Sequence, residues 1–132
     1  MIAKQLSVFI QNEPGRLLEI TEALSAANVN ISARNIAETA DYGIVRMIVD
    51  DTDKAVSVLK SADFIAKSTD VIRLIVPDVP GSINKMLLSL SGAGINVSYM
   101  YGYSSNGEAP MIIRVSDTKK AEEILKKDGI VG

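Results

Sequence analysis

The chain has 132 residues, 47% hydrophobic and 23% charged, with a formal net charge of −2, which suits one compact domain or two very small ones and excludes a disordered chain. Fourteen Lys and Arg against sixteen Asp and Glu leave no positive excess for phosphate attraction, which argues against DNA or RNA as a partner. Without Cys or His there is no thiolate nucleophile, disulfide, imidazole catalyst or ordinary zinc, copper or haem site, so no cofactor is expected and only carboxylates, Lys, Tyr and Ser remain for chemistry.

Leu6, Val8 and Ile10 alternate within Gln5 to Ile10, the period of a half-buried strand. Asn12-Glu13-Pro14-Gly15 then opens a helical pattern at Leu17, Leu18, Ile20, Leu24 and Ala27, with Pro14 expected in the first helical turn. Val29 to Ala37 reads as a second strand, Asp41-Tyr42-Gly43 as a turn and Ile44 to Val49 as a third strand forming a hairpin with the second. Asp51 or Thr52 can cap a second helix with apolar residues Ala55, Val58, Leu59 and Ala62, and Phe64 to Lys67 can supply a short fourth strand. The order βαββαβ is that of a ferredoxin-like sandwich, both helices on one face of an antiparallel sheet.

The chain then repeats itself. An ungapped offset of 66 residues carries Pro14-Gly15 onto Pro80-Gly81, Leu24 onto Leu90, Asn30 onto Asn96, Asp51-Thr52 onto Asp117-Thr118 and Leu59-Lys60 onto Leu125-Lys126. The second copy reads as strand Val71 to Val76, helix Pro80 to Ala93, strands Ile95 to Tyr103 and Met111 to Val115, and helix Thr118 to Lys127. Its last strand, confined to Ile130-Val131-Gly132, is very short or missing. The fold expected is therefore α+β, two ferredoxin-like units in tandem joined side by side, spanning 1–68 and 69–132 with Ser68-Thr69-Asp70 as the only punctuation. The core is expected to hold Leu6, Val8, Leu17, Ile20, Leu24, Val58 and Leu59 in one copy and Leu74, Val76, Ile83, Leu87, Leu90, Ile124 and Leu125 in the other.

This topology hosts many functions, so the site must decide. An RNA-binding module needs aromatic residues on its central strands, and Ile44 to Val49 and Met111 to Val115 have none. A metal carrier of this shape needs a Cys pair. Asp50, Asp51 and Asp53 could gather around Mg²⁺, but acids at a helix start are favoured by capping and the macrodipole alone. MIAKQLSVFIQNEPG has no charged segment leading a long apolar run, and no stretch approaches the ~20 apolar residues of a membrane span, so a cytoplasmic protein without a membrane partner is expected.

The informative element is the first loop of each copy, Asn12-Glu13-Pro14-Gly15-Arg16-Leu17 and Asp78-Val79-Pro80-Gly81-Ser82-Ile83, followed fifteen residues after its Gly by Asn30 or Asn96. The run DVPGSINKMLLSLSGAGINV from Asp78 to Val97 resembles the ACT domain, a small-molecule-binding regulatory module with a D/N-x-P-G-x-L loop and helix followed by an A-x-x-N-I strand. QLSVFIQNEPGRL, YGIVRMIVDD and GINVSYMYGY extend the likeness to stand-alone ACT pairs over practically the whole chain. The resemblance implies paired domains that hold a free amino acid at their seam, a possible homodimer, and a metabolic enzyme as the regulated partner.

Physical chemistry supports such a site, because the unpaired N–H groups opening a helix suit an α-carboxylate and a Gly lets a ligand approach the backbone. A Val at Gly15 or Gly81 is expected to close the loop without disturbing the fold, provided φ there is negative. The side-by-side arrangement implied by the resemblance crosses the partners: Asn12 with Asn96 in one site, preferred for its two neutral amides, and Asp78 with Asn30 in the other. Tyr99, Tyr101 and Tyr103 share one parity of their strand and suit an interface or a side-chain pocket, while Arg34 could pair with a ligand carboxylate. The leading expectation is a non-catalytic amino-acid sensor; the rival is a ligand-free assembly module regulating a separate enzyme. An enzyme would have to use the helix-starting acids or the turn Ser104-Ser105-Asn106.

Overall fold

The computed structural model describes residues 1–132 as β1 (Ile2–Gln11), α1 (Arg16–Ala26), β2 (Ile31–Glu38), β3 (Tyr42–Val49), α2 (Thr52–Ser61), β4 (Ile65–Pro77), α3 (Ser82–Gly92), β5 (Val97–Gly102), β6 (Glu108–Val115) and α4 (Thr118–Lys127). Two compact units emerge, Lys4–Thr69 and a second composed of Met1–Ala3 with Asp70–Gly132. Each is the expected α+β arrangement of strands and paired helices. No helix is long and apolar enough to cross a membrane.

In the first unit the strands run in the order β2-β3-β1-β4, with β3 antiparallel to both β1 and β2. One face carries Leu6, Val8, Ile10, Val45, Met47 and Val49, and these pack with Ile20 and Leu24 of α1 and Ala55 and Leu59 of α2. Asp51 caps α2 by accepting the Lys54 N–H at 3.1 Å. Away from this core Gln5 and Ser7 are also buried, joined by a hydrogen bond from Gln5 Nε2 to Ser7 Oγ at 3.1 Å and by Ser7 Oγ to Thr69 Oγ1 at 2.9 Å.

The second unit repeats the plan in the order β4-β6-β5, with Leu74, Val76, Met111, Ile113 and Val115 packing on Met86 and Leu90 of α3 and Ala121 and Leu125 of α4. Asp117 caps α4, accepting the Lys120 N–H at 3.0 Å. Where its fourth strand would lie, Val131 forms an isolated bridge to Ile75. The rest of that edge is filled from the other end of the chain, where the Met1 carbonyl accepts the Arg73 N–H at 2.6 Å and the Ile2 N–H donates to Glu122 Oε2 at 3.0 Å.

All four helices end alike. A left-handed residue follows each, namely Asn28, Asp63, Gly94 or Gly129, and the next N–H reaches back five residues, as Val29 does to the Leu24 carbonyl at 2.9 Å. This is the Schellman closure, which satisfies the last carbonyls of a helix.

Several expectations need correction. β4 runs unbroken for thirteen residues through Ser68-Thr69-Asp70, which therefore do not separate two strands. Pro14 and Pro80 lie ahead of their helices, which begin at Arg16 and Ser82, because the glycines between adopt a non-helical φ. Leu17 and Ile83, each 38% exposed, lie outside the cores, and Val58, Leu87 and Ile124 are only half-buried. The side chains of a helix's first turn lean back toward its amino end.

Candidate functional site

Each first loop is built from a strand end, a tight turn and a helix start. In the first copy Asn12 is tied to the β2–β3 hairpin, its N–H donating to the Asp41 carbonyl at 2.9 Å and its Nδ2 to the Ala40 carbonyl at 3.4 Å. The Glu13 N–H turns back to the Gln11 carbonyl at 2.9 Å, and the Arg16 N–H reaches the Glu13 carbonyl at 3.4 Å. With Pro14 at its second position and Gly15 at its third, φ 85° and ψ −12°, this is a type II turn.

The second copy is built the same way. Asp78 N–H donates to the Gly107 carbonyl at 2.9 Å, Val79 N–H to the Pro77 carbonyl at 3.0 Å and Ser82 N–H to the Val79 carbonyl at 3.2 Å, with Pro80 and Gly81 at the turn centre and Gly81 at φ 90° and ψ −13°. The sequence placed the first hairpin turn at Asp41-Tyr42-Gly43, but Tyr42 and Gly43 open β3 and pair with Gln11 and Ile10; nor did it show that the hairpins anchor Asn12 and Asp78, since both contacts run through backbone carbonyls. The positive φ contradicts the premise for a harmless Val at Gly15 or Gly81: a β-branched residue there is strained in the backbone itself.

Neither α1 nor α3 has a side-chain cap; Gly15 and Gly81 occupy the cap positions. The N–H groups of the first turn, those of Leu17 and Leu18 or of Ile83 and Asn84, therefore open toward the loop with the positive end of the helix dipole behind them. Nothing stands within 4 Å of where a Cβ would project from either glycine. The loop residues Asn12, Glu13, Pro14, Asp78, Val79 and Pro80 are exposed, while Arg16 and Ser82 are half-buried. Such an arrangement can hold a carboxylate by backbone donors.

The two loops differ in charge. Beside the first, the Arg16 guanidinium is 2.7 Å from Glu19 and lies over the Phe64 ring, 5.1 Å from its centroid. The second has Ser82 in place of Arg16 and no acid in the first turn of its helix. Asp78 is its local negative charge.

Asn30 and Asn96 are not beside the loops of their own units. The Asn30 N–H donates to Asp50 Oδ1 at 3.0 Å, just beyond the end of β3, whereas Asn12 meets Asp41 just before its start. Asn96 is held likewise by Ser116 Oγ at 3.0 Å beyond β6. Neither unit joins loop and Asn by itself, because the length of a strand lies between them. Asp50 and Asp51 are engaged by the Asn30 and Lys54 N–H groups, which accounts for acids at that helix start. Tyr99 and Tyr101 pair across with Arg114 and Ile112, away from the core, and Tyr103 is 85% exposed.

One carboxyl has a displaced pKa. Glu122 is held below its ordinary value by the hydrogen bond from the Ile2 N–H and by Lys126, whose Nζ is 3.5 Å from Oε1. It belongs to the edge of the second unit and not to either loop.

Two βαββαβ units, each with an uncapped first helix behind a Pro-Gly turn, define a ferredoxin-like pair. The chain belongs to the ACT domain pair family, whose pattern it matches over residues 1–130. Among solved structures it is similar to protein BT0572 from Bacteroides thetaiotaomicron, with 46% identity and a TM-score of 0.94 over 98% of this chain and 90% of that one. The regulatory subunit of aspartate kinase from Thermus thermophilus, in its ligand-free form, shares the fold at 17% identity and a TM-score of 0.69, over 96% of this chain and 93% of that one. E. coli aspartokinase III, solved in complex with lysine and aspartate, shares it at 14% identity and a TM-score of 0.59, over 96% of this chain but 31% of its own. No curated protein matches the chain.

Proposed function

We infer that this ACT pair is a non-catalytic sensor that holds a free amino acid by its α-carboxylate at the opening of α1 or α3. The observation that carries the reading is the repetition of one feature: Gly15 and Gly81 have nearly the same left-handed conformation, each at the cap of a helix with no side-chain cap. A single Pro-Gly turn is ordinary helix-start chemistry; two copies that both leave the donors open are better explained by a ligand. The binding loops proposed are residues 12–17 and 78–83, in domains bounded near 1–68 and 69–132.

The likeness to an aspartate kinase regulatory subunit supports a role beside a metabolic enzyme in the cytoplasm, and aspartokinase III bound to lysine and aspartate offers amino acids as the first ligand class to try. Calorimetric titration with each of the twenty amino acids tests the reading. At least one should bind, and replacing its α-carboxylate by a carboxamide should weaken it about tenfold or more, the scale of a lost charge-assisted hydrogen bond. Equal affinity for the carboxamide would remove the carboxylate from the mechanism, and no heat from any amino acid would leave the assembly role as the function.

A further inference from the structure

We propose that Asn106-Gly107 is a self-modifying turn: Asn106 deamidates through a cyclic imide, and the isoaspartate that results releases the anchor of the second loop at Asp78. The chain's single Asn-Gly step sits at the tip of the β5–β6 hairpin, with both residues exposed. Asn106 at φ 54° and Gly107 at φ 78° make a type I′ turn. It is closed by the Glu108 N–H to the Ser105 carbonyl at 3.1 Å and by the Ser105 N–H to the Glu108 carbonyl at 2.9 Å.

The chemistry needs only what this turn holds, together with water. The Gly107 nitrogen, deprotonated by solvent base, attacks the Asn106 side-chain carbonyl. A bond forms between that nitrogen and Cγ, the bond from Cγ to Nδ2 breaks, and Nδ2 takes up a proton and leaves as ammonia. Water then opens the imide at either carbonyl, giving aspartate or, with the main chain rerouted through Cγ, isoaspartate. Gly107 has no side chain to block the attack, and nothing lies within 4 Å of where its Cβ would stand. Its N–H is not one of the donors that close the turn. The peptide between the two residues can also turn over, which swings this nitrogen toward the side chain. Type I′ and II′ turns share a positive φ at the first central position and differ in sign at the second, where glycine takes either.

Elsewhere these requirements are not met together. The other asparagines precede Glu13, Val29, Ile31, Ile36, Lys85 or Val97, whose side chains stand in the way. Asp128-Gly129 could close the same ring, but there the Gly129 N–H is bonded to the Lys126 carbonyl at 3.0 Å.

The consequence lies one peptide further on. The Gly107 carbonyl accepts the Asp78 N–H at 2.9 Å, which ties the loop 78–83 to this hairpin. Isoaspartate adds a methylene to the main chain of a two-residue turn whose length sets the strand register, so the Ser105–Glu108 bridge and the Gly107 carbonyl beside it are displaced. In the first copy the same anchor, from the Asn12 N–H to the Asp41 carbonyl, stands on Ala40-Asp41, which holds no asparagine. Ageing therefore acts on one loop and spares the other.

The full chain, aged at mildly alkaline pH, tests the proposal by peptide mapping and amide hydrogen exchange. Aspartate and isoaspartate should accumulate at position 106 before any other asparagine reacts, and faster as pH rises, because the attacking group is a deprotonated amide. Asn106→Gln, which would have to close a larger ring, should stay intact. In the isoaspartate form the Asp78 and Glu108 amides should lose their protection while the Asn12 amide keeps its own. Asn106→Asp, which has the new carboxylate on an unaltered main chain, should leave Asp78 protected. An Asn106 that outlasts the other asparagines, an isoaspartate form in which Asp78 stays protected, or an equal loss of protection in Asn106→Asp would each overturn the proposal.

Discussion

Gly15 and Gly81 are left-handed where an L side chain pays in backbone strain, although the space around both is open. Gly15→Ala or Gly81→Ala should therefore lower stability by about 1–2 kcal/mol in denaturant unfolding, a conformational cost with no steric part. An unchanged midpoint would mean that the turn relaxes to another type. Leu24 and Leu90 are fully buried, and truncating either to Ala should cost about 2–5 kcal/mol, whereas Leu17→Ala and Ile83→Ala, at more exposed positions, should cost only about 1 kcal/mol. Comparable losses at all four positions would contradict the assignment of the helix faces. Here the sequence was partly legible: of the expected helical pattern, Ile20 and Leu24 are fully buried, while Leu17 and Leu18 are exposed. Periodicity gives direction around a helix but not depth along it, so it could not separate Leu17 from the core. The buried polar pair Gln5 and Ser7 gave no signal either, since the partner of Ser7, Thr69, lies 62 residues further along the chain.

At the scale of elements, the boundaries that failed were those set by polarity. Lys67 to Asp70 breaks the apolar alternation and reads as a gap, yet β4 passes straight through it, its polar groups met by partners from afar: Thr69 by Ser7, and the Asp70 carbonyl by the Arg114 guanidinium at 2.9 Å. Sequence likewise did not show that Met1–Ala3 would join the second unit. This N-terminal piece should respond to pH. The Glu122 carboxyl is lowered chiefly by the Ile2 N–H, so its contribution is complete above the ordinary carboxylate value and is lost as pH falls through the lowered one. The protection of the Ile2 amide, its hydrogen-exchange rate relative to the intrinsic rate at the same pH, should fall on acidification through that range, and Glu122→Gln should abolish most of that fall. Protection that does not change with pH would show that the strand is held without the carboxylate.

At the scale of the molecule, duplication made the fold readable: turns, caps and core leucines repeat at one offset, and both copies build the same two-helix unit. What duplication hides is divergence. Arg16 becomes Ser82, Asp50 becomes Ser116, and the edge strand loses its charges between β2 and β5, so the two copies offer different surroundings to the same backbone cradle. The central claim is that this cradle takes a carboxylate. Nitrogen-15 amide spectra of the full chain, titrated with whichever amino acid raises its melting temperature most, test that claim most directly. The account predicts that the largest shifts fall on the amides of Arg16 to Leu18, of Ser82 to Asn84, or of both; saturating binding that leaves all six amides in place would contradict it.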